Sequence, residues 1–352
     1  MITDLFTGIS GLDADVVTGA IPPTCRRPPS SPRVMTVGDS ELVLEFPESR
    51  PRVPARHLLP SLSVLTERRY SVRFELSTCS AASWSPWVAT ATLGPGRFPA
   101  LPATTDGLAC EVDVYTAASA EQVRLRIRVG AADPHAVLAA PWIATLSTSD
   151  RGPFAPAVAA GDTSPLAVPA RSQRDAPPEL APRICSPTSV GMVLEYWGRP
   201  TATPSLAAEI FHPATDSYGV WPAAIQAAGR RGVAGYLLRF PDWSTAAWCL
   251  ERALPIIASI RYEAGELTDA AIAETSGHLV VITGRRGEDV FVNDPAAPTV
   301  ASVPRRYRLD ELQRAWIERT GVGYVLFRPE RSTSRDASVA HAPAEPRGGD
   351  DG

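Results

Sequence analysis

The sequence predicts two folded domains, an antiparallel β-sandwich followed by an α+β domain. The chain has 352 residues, more than one ordinary domain needs. Short segments of strand type, several of which alternate apolar and polar residues, fill residues 36–150. After a stretch rich in alanine and proline, the order changes to helices first and strands afterwards, which is typical of an α+β domain.

The composition indicates a globular protein that lacks the charge of a nucleic-acid or membrane-surface binder. Hydrophobic residues make up 44% of the chain and charged residues 20%, which is enough apolar material to bury a core. The 34 basic residues are all arginine, and the net charge is -4. This balance creates no broad positive field. We therefore expect neither a nucleic-acid nor a membrane partner.

Segments rich in proline and polar residues mark the ends of the two predicted domains. Residues 1–35 close with the run IPPTCRRPPSSPR and are predicted to form a flexible leader. Residues 151–165 are predicted to link the β-sandwich at 36–150 to the α+β domain at 166–329. Residues 330–352 are predicted to be a disordered tail. The acidic start lacks the basic region of a signal peptide, so a cytoplasmic location is expected, with secretion left open.

The β-sandwich prediction rests on strand-like segments separated by glycine, proline and serine turns. The clearest is VRLRIRV at residues 123–129, where apolar residues and arginines alternate strictly. Sandwiches of this kind often contact carbohydrate or protein. Trp84, Trp87 and Trp142 could supply a stacking surface for such a partner, although core packing is the more common role of tryptophan.

Five cysteines are spread over the whole chain. An odd number at irregular spacing indicates neither a disulfide framework nor a CxxC metal site. Cys79 and Cys110 both lie in the predicted sandwich, where they would either pair or remain free thiols. At least one thiol of the chain should be free.

The α+β domain is predicted to begin with a helix at residues 186–197. Val190, Val193, Leu194 and Trp197 recur there at helical spacing and form one apolar face. Further helices are predicted at 222–228, 243–253 and near 309–318, and strands at 256–261, 279–284, 290–293 and 322–327.

Cys185 stands directly before this first helix, in the run ICSPTSVGMVLEYWG. Unpaired backbone N–H groups and the positive end of the helix dipole lower the pKa of a thiol at such a position. The same N–H groups can donate hydrogen bonds to an oxyanion. Pro187 suits the first turn, where its missing N–H costs nothing. A lone cysteine here would still more often be a small buried hydrophobic residue.

A histidine and an aspartate follow in an order that supports catalysis. His278 lies at the mouth of an apolar strand, in SGHLVV, and Asp294 ends the next strand, in VNDP. Two antiparallel strands joined by a hairpin bring the start of one beside the end of the other. His278 and Asp294 can therefore touch, which is what a triad requires of its base and the group that orients it. The three residues together favour a nucleophilic Cys185.

The segment from about residue 166 to 328 resembles papain-like cysteine peptidases of the bacteriocin-processing type, the C39-like family, and in particular its stand-alone actinobacterial relatives. The resemblance is carried, in order, by VPARSQ, CSPTSVGMVLEYWG, YGVWPAAIQAA, LPIIASIRYEAGEL, SGHLVVITG and VFVNDPA. It implies an α+β papain-like peptidase domain, here preceded by an antiparallel β-sandwich domain. It also implies that Cys185, His278 and Asp294 are the catalytic residues.

The resemblance further implies an oxyanion hole formed by the N–H of Cys185 and the side-chain amide of a glutamine. Gln173 matches that glutamine, twelve residues before Cys185. In the transporter-linked members the glutamine sits closer to the cysteine, so its placement here depends on the intervening loop APPELAPR. Asn293, next to Asp294, could support the triad.

The function predicted from these residues is hydrolysis of a peptide or related amide bond through a thioester acyl-enzyme. No metal and no cofactor are required, and the expected partner is a peptide or protein substrate. One alternative is a non-catalytic module that binds peptides or cell-wall material on the same scaffold. Another is an acyltransferase or transpeptidase, in which an amine replaces water.

Overall fold

The computed structural model of the protein describes residues 1–156 and 161–329. It combines helices with antiparallel sheets. Part of the predicted linker, residues 157–160, and the predicted tail at 330–352 lie outside the described residues.

The first half of the chain consists mainly of strands. Its elements are, in chain order, β1 (Thr3–Ser10), α1 (Ala14–Gly19), β2 (Arg33–Val37), β3 (Glu41–Glu45), β4 (Ala55–Val64), β5 (Ser71–Ser80), β6 (Ser83–Trp84), β7 (Val88–Ala89), β8 (Thr104–Thr105), β9 (Leu108–Glu111), β10 (Val114–Ala120), β11 (Gln122–Gly130), α2 (Pro134–Leu138) and β12 (Trp142–Ser149).

The second half begins with helices and ends with strands, as the sequence predicted. Three short 3-10 turns lie at Gln173–Asp175, Ala181–Arg183 and Val300–Ser302. The longer elements are α3 (Cys185–Tyr196), α4 (Thr203–Ile210), α5 (Trp221–Gly229), β13 (Ala234–Arg239), α6 (Trp243–Glu251), β14 (Ile256–Tyr262), β15 (Thr275–Arg286), β16 (Asp289–Asn293), β17 (Pro304–Arg308), α7 (Leu309–Ala315) and β18 (Val322–Phe327).

Within residues 1–156 and 161–329 the strands form three antiparallel sheets. The first has the order β1-β12-β4-β10-β9-β8, and the second has the order β2-β3-β11-β5-β6 with β7 beside β5. The third has the order β13-β18-β14-β15-β16-β17. Strands that follow one another in the sequence are neighbours from β14 to β17. A two-residue hairpin turn joins β15 to β16, whereas the longer segments 263–274 and 294–303 join β14 to β15 and β16 to β17.

The prediction of a flexible leader at residues 1–35 is wrong. Strand β1 pairs with β12 along its whole length, from Thr3 opposite Ser149 to Ser10 opposite Trp142. Leu5 is fully buried, in one apolar cluster with side chains of β13 and α6. The physical reason is that the partners of β1 are distant in the sequence, more than 130 residues away in β12 and more than 220 residues away in β13 and α6, so no local pattern shows them.

The first and third sheets pack directly on each other. Strands β4 and β12 contact β13, and β4 also contacts α5. The backbone N–H of Arg239 in β13 donates to Ser147 Oγ of β12 at 3.1 Å. The Tyr236 hydroxyl donates to the carbonyl of Ala20 at 2.7 Å. The two halves of the chain therefore share a continuous packed interface.

The tryptophans proposed as a stacking surface have other contacts. Trp142 is buried. The guanidinium groups of Arg124 and Arg126 lie 3.8 and 4.1 Å from the ring centres of Trp84 and Trp87. Trp142 is thus a packing residue, and one face of each of the other two rings is covered by an arginine.

Candidate active site

Helix α3 is the buried element that carries Cys185. From Ser186 to Leu194 its residues are buried, whereas Cys185 at its first position is partly exposed. Small side chains allow close packing of this helix on the third sheet, where Ser189 Oγ donates to the carbonyl of Leu279 at 3.1 Å. The thiol therefore lies at the positive end of a helix dipole, in contact with both solvent and the sheet.

His278 lies in β15, at the point where α3 packs on the sheet. It pairs with Ile260 of the neighbouring strand β14, and its side chain is 3% exposed. The residues before it, Ser276 and Gly277, are exposed, whereas those after it are buried. The imidazole thus stands at the boundary between the core and the solvent, beside the start of α3.

Asp294 directly follows β16, the strand that pairs with β15. Its Oδ1 atom lies 2.7 Å from Nε2 of His278, and its side chain is fully buried. The backbone N–H of Asp294 donates to the carbonyl of Val303 at 2.9 Å, which fixes the loop. The contact expected from two adjacent strands is therefore present. Because Nε2 of the imidazole is engaged, Nδ1 is the nitrogen left to face Cys185.

The electrostatics of this cluster favour a charged cysteine and histidine. Burial alone would raise the pKa of Cys185, but the hydrogen bond and charge of His278, helped by the N–H groups of Leu279 and Ser186, lower it below the usual range. Burial lowers the pKa of His278, yet the Asp294 carboxylate and Cys185 outweigh it and raise that pKa to about 10. Both shifts favour a thiolate beside an imidazolium.

The carboxylate of Asp294 stays ionised in this arrangement. Burial acts to raise its pKa, but the charge and hydrogen bond of His278, the Tyr307 hydroxyl and the N–H of Ala296 lower the pKa below its usual value. A negative charge is thereby held against the imidazole ring in a buried place, where screening by water is weak.

The other four cysteines have a different environment. Cys25, Cys79, Cys110 and Cys249 are buried, and all five cysteines are free thiols. Of the two possibilities for Cys79 and Cys110, the structure shows free thiols. Burial raises the pKa of Cys25 and of Cys110 to about 12. A reagent that requires a thiolate should therefore distinguish Cys185 from these thiols.

Gln173 lies in the first 3-10 turn, tied to the loop that follows Asp294. Its backbone N–H donates to the carbonyl of Pro295 at 2.8 Å, and Ser172 Oγ donates to the carbonyl of Ala297 at 2.6 Å. The Gln173 side chain is 3% exposed, and its Oε1 atom has no hydrogen-bond partner among the described residues. The predicted oxyanion-hole glutamine is thus attached to the same loop as the aspartate.

Asn293 is buried, but its amide points away from the triad. Its Nδ2 atom donates to the carbonyl of Val168 at 2.9 Å. This bond joins the end of β16 to the segment before Gln173. Asn293 therefore holds together two pieces of chain that carry site residues, and its bond is not to His278.

Tyr307 was missed by the sequence reasoning. Its hydroxyl donates to Oδ2 of Asp294 at 2.6 Å, and its side chain is buried. Tyr307 lies between Arg306 and Arg308 in β17, a strand that was also not predicted from the sequence. Its distance of thirteen residues from Asp294 matches no local motif, so the sequence held no signal for this contact.

Neither a metal centre nor a membrane span is visible in the described residues. Within residues 1–156 and 161–329, no group of three or more histidine, cysteine, aspartate or glutamate side chains could hold a metal ion. In the same residues, no helix is long and apolar enough to cross a membrane.

The site thus consists of a helix that begins at Cys185 and packs on an antiparallel sheet that carries His278, with Asp294 at the end of the next strand. Residues 165–324 match the model of the Peptidase_C39 like family. The match covers a little less than half of the chain, and it confirms the resemblance predicted from the sequence. No curated protein sequence matches the chain significantly.

Solved structures similar to this chain include three of C39-type domains. A double glycine motif protease from an AMS/PCAT transporter, in complex with the leader peptide, is 17% identical over 48% of this chain and 99% of its own, with a TM-score of 0.32. The peptidase domain of Streptococcus ComA, a bi-functional ABC transporter involved in a quorum sensing pathway, is 16% identical over 42% and 92%, with a TM-score of 0.30. A C39-like protein from Bacillus anthracis is 18% identical over 47% and 98%, with a TM-score of 0.37.

Proposed function

We propose that residues 166–329 form a papain-like cysteine peptidase domain that hydrolyses peptide or related amide bonds. One observation carries the proposal: a partly exposed Cys185 begins a buried helix beside His278, whose Nε2 lies 2.7 Å from Asp294. The family match of residues 165–324 supports the same class of reaction.

The first half of the reaction would form a thioester. The Cys185 thiolate attacks the carbonyl carbon of the substrate, and the carbonyl oxygen becomes an oxyanion. His278, protonated on the nitrogen that faces the cysteine, gives its proton to the leaving amine as the carbon–nitrogen bond breaks. Asp294 holds the ring in the orientation that this transfer needs.

The second half would release the acid product. The now neutral His278 takes a proton from water, and the resulting hydroxide equivalent attacks the thioester carbonyl. The carbon–sulfur bond breaks, and the thiolate and imidazolium are restored. An amine in place of water would give acyl transfer, so the alternative reaction differs only in the acceptor.

The oxyanion would be stabilised by the N–H of Cys185 and by the side-chain amide of Gln173. The start of a helix supplies the first donor, since its N–H groups lack partners within the helix. The bond from Gln173 to Pro295 supports the second assignment because it anchors the glutamine to the loop of Asp294. We assign Asn293 a supporting role through its bond to Val168.

The first half of the chain would form a β-sandwich that accompanies the peptidase domain. Support comes from a common apolar cluster that includes Leu58 and Leu62 of the first sheet and Phe74 and Ile127 of the second. Its contact with carbohydrate or protein stays a prediction, as does a peptide or protein substrate without nucleic acid or membrane as partner.

Alkylation of the whole protein with iodoacetamide from about pH 5 to 9, followed by peptide mass spectrometry, tests the proposal. We expect fast labelling confined to Cys185 below the usual thiol pKa, and loss of that selectivity in His278→Ala. A library of peptides is then assayed with wild type and Cys185→Ala, with and without an added amine acceptor.

Cleavage that disappears in Cys185→Ala would support hydrolysis, and products that carry the added amine would indicate acyl transfer. If Cys185 reacts no faster than Cys25 or Cys249, the nucleophile assignment fails. The non-catalytic binding module would then be the better description.

A further inference from the structure

The carboxylate of Asp294 is held by groups on both of its oxygen atoms. Oδ1 lies 2.7 Å from Nε2 of His278 and accepts from the backbone N–H of Ala296 at 2.9 Å. Oδ2 accepts from the Tyr307 hydroxyl at 2.6 Å. Each oxygen thus has a defined donor, and the donor on Oδ2 is a side chain with no direct contact to the reacting atoms.

Tyr307 is placed by the third sheet rather than by a loop. It is the fourth residue of β17, opposite Val290 of β16, and its side chain is 1% exposed. Strand β16 leads directly into Asp294, and the Tyr307 hydroxyl reaches the carboxylate from the neighbouring strand. A rigid sheet is a suitable support for a group that must hold a fixed angle.

We propose that Tyr307 is a positioning residue, whose hydroxyl orients the Asp294 carboxylate and takes up part of its negative charge, so that His278 does not hold its proton too firmly. This inference rests on the proposed function. A hydrogen bond to a charged oxygen is short and strong, and it disperses charge that would otherwise act on the imidazole.

The consequence for the reaction concerns the acid strength of His278. The imidazolium must release its proton to the leaving amine, and a proton held more tightly is released more slowly. Without the Tyr307 hydroxyl, the buried carboxylate would attract the imidazolium proton more strongly. Tyr307 would thus keep His278 an effective acid, while Asp294 keeps it charged.

The other titratable groups around Asp294 come from four elements, α3, β14, β15 and β17. His278 of β15 contacts it directly, and Cys185 of α3 lies on the other side of His278. Burial is the main cause that raises the pKa of the Tyr262 hydroxyl in β14, and the nearby Asp294 charge raises it further. Arg305 of β17 acts on Tyr262 in the opposite direction. Burial and the Asp294 charge raise the pKa of Tyr307 as well, so its hydroxyl remains a donor.

Tyr262 provides a matched control for Tyr307. It is also buried, but its hydroxyl donates to the carbonyl of Ile272 at 2.9 Å. Tyr262→Phe removes one buried hydroxyl from the same neighbourhood without touching the carboxylate. A comparison of Tyr307→Phe with Tyr262→Phe therefore distinguishes loss of the bond to Asp294 from the general effect of losing a buried hydroxyl.

The experiment measures the rate of alkylation of Cys185 by iodoacetate against pH, in the full-length protein. The anionic reagent is drawn to the imidazolium, so its rate falls when His278 loses its proton at high pH. We call this fall in rate at high pH the alkaline limb of the profile. In Tyr307→Phe its midpoint should lie about 0.5–1 pH unit higher than in wild type and in Tyr262→Phe. The kcat for a cleaved peptide should fall by roughly tenfold, with KM unchanged.

A fluorinated tyrosine at position 307 provides a second variant if Tyr307→Phe does not fold. It retains the ring and the hydroxyl but makes the hydroxyl a stronger donor, so the alkaline limb should move down. An unchanged limb in both variants, or a shift equal to that of Tyr262→Phe, would overturn the role of Tyr307. A wild-type profile that lacks an activated thiolate would instead contradict the proposed function itself.

Discussion

The Nε2 atom of His278 lies 2.7 Å from Oδ1 of Asp294, and both side chains are buried. This contact joins two strands of one sheet at the place where a helix presents Cys185. It raises the pKa of the imidazole and thereby stabilises the thiolate beside it. Through His278, the pKa of the cysteine is therefore coupled to a residue that is 109 positions away in the chain.

Replacement of Asp294 by asparagine should narrow the pH range in which Cys185 is activated. The carboxylate charge is the main cause that raises the pKa of His278 to about 10, and burial opposes it. In Asp294→Asn the alkaline limb of alkylation by iodoacetate should move down by at least about 2 units, toward the ordinary histidine pKa or below it. The kcat/KM at neutral pH should fall by up to about 10⁴-fold.

The neighbouring asparagine provides the control for this prediction. Asn293→Ala loses the hydrogen bond to Val168 and should reduce the free energy of unfolding by about 0.5–1.5 kcal/mol. It should leave the alkaline limb in place. If the alkaline limb moved equally in Asp294→Asn and Asn293→Ala, its position would depend on the general order of the loop rather than on the charge of Asp294.

Asp113 should make a contribution to the stability of the protein that falls as the pH rises from about 4 to 7. Asp113 is buried at the turn between β9 and β10 and accepts from the backbone N–H of Trp221 at 2.6 Å. Burial raises the pKa of Asp113 from 3.8 to about 7. Between these values the folded state binds the proton and the unfolded state does not, so the free energy of unfolding decreases with pH, by up to ~1.4 kcal/mol per unit.

Urea unfolding of Asp113→Asn across this range checks that sign. The amide oxygen of asparagine can still accept from Trp221, but the side chain no longer titrates, so the slope due to this group should disappear. The exposed Asp106→Asn serves as the control and should leave the slope unchanged. Parallel curves for wild type and Asp113→Asn would contradict the prediction.

The first strand should contribute to stability as a core element. Leu5 is fully buried between β12 and the second half of the chain. Leu5→Ala should therefore lower the free energy of unfolding by about 2–5 kcal/mol, measured by urea unfolding. Leu101, which is 37% exposed, gives the comparison, since Leu101→Ala should change stability by less than about 0.5 kcal/mol. If both substitutions changed the free energy of unfolding by the same small amount, the prediction of a flexible leader would be supported instead.

The contact between the two halves of the chain depends on a missing side chain at Gly229. A Cβ atom at this position of α5 would lie 2.7 Å from the carbonyl oxygen of Val64 and 2.9 Å from Ser63 Oγ, both in β4. Gly229→Ala should destabilise the protein by about 1–3 kcal/mol, because the backbone oxygen cannot move aside easily.

Gly19 offers a matched helical position with free space around it. A Cβ there meets no atom within 4 Å, so Gly19→Ala should be neutral or stabilising, by up to about 1 kcal/mol. Differential scanning calorimetry of the two variants compares them directly. A Gly229→Ala variant as stable as wild type would show that the interface is looser than its distances indicate.

Local sequence patterns predicted most of the elements around the candidate site in the right order, whereas α4, β13 and β17 were missed. The helix predicted at 186–197 is confirmed as Cys185–Tyr196, and the last strand, 322–327, is confirmed at both ends. Short-range patterns were sufficient because apolar spacing reports directly which face of a helix or strand is buried. The contact of His278 with Asp294 also followed, since hairpin geometry joins neighbouring strands.

Contacts between residues that are far apart in the sequence were visible only in the three-dimensional structure. Strand β4 contains Pro60, which argues against a central strand, yet β4 lies between β12 and β10. At Pro60 the strand pairs with β12 only, because its pairing with β10 ends at Leu58. Neither strand β1 nor the role of Tyr307 was predicted from the sequence, for a related reason. Leu5 shares an apolar cluster with side chains of β13 and α6, and Tyr307 reaches Asp294 from the neighbouring strand, so neither contact leaves a local pattern in the sequence.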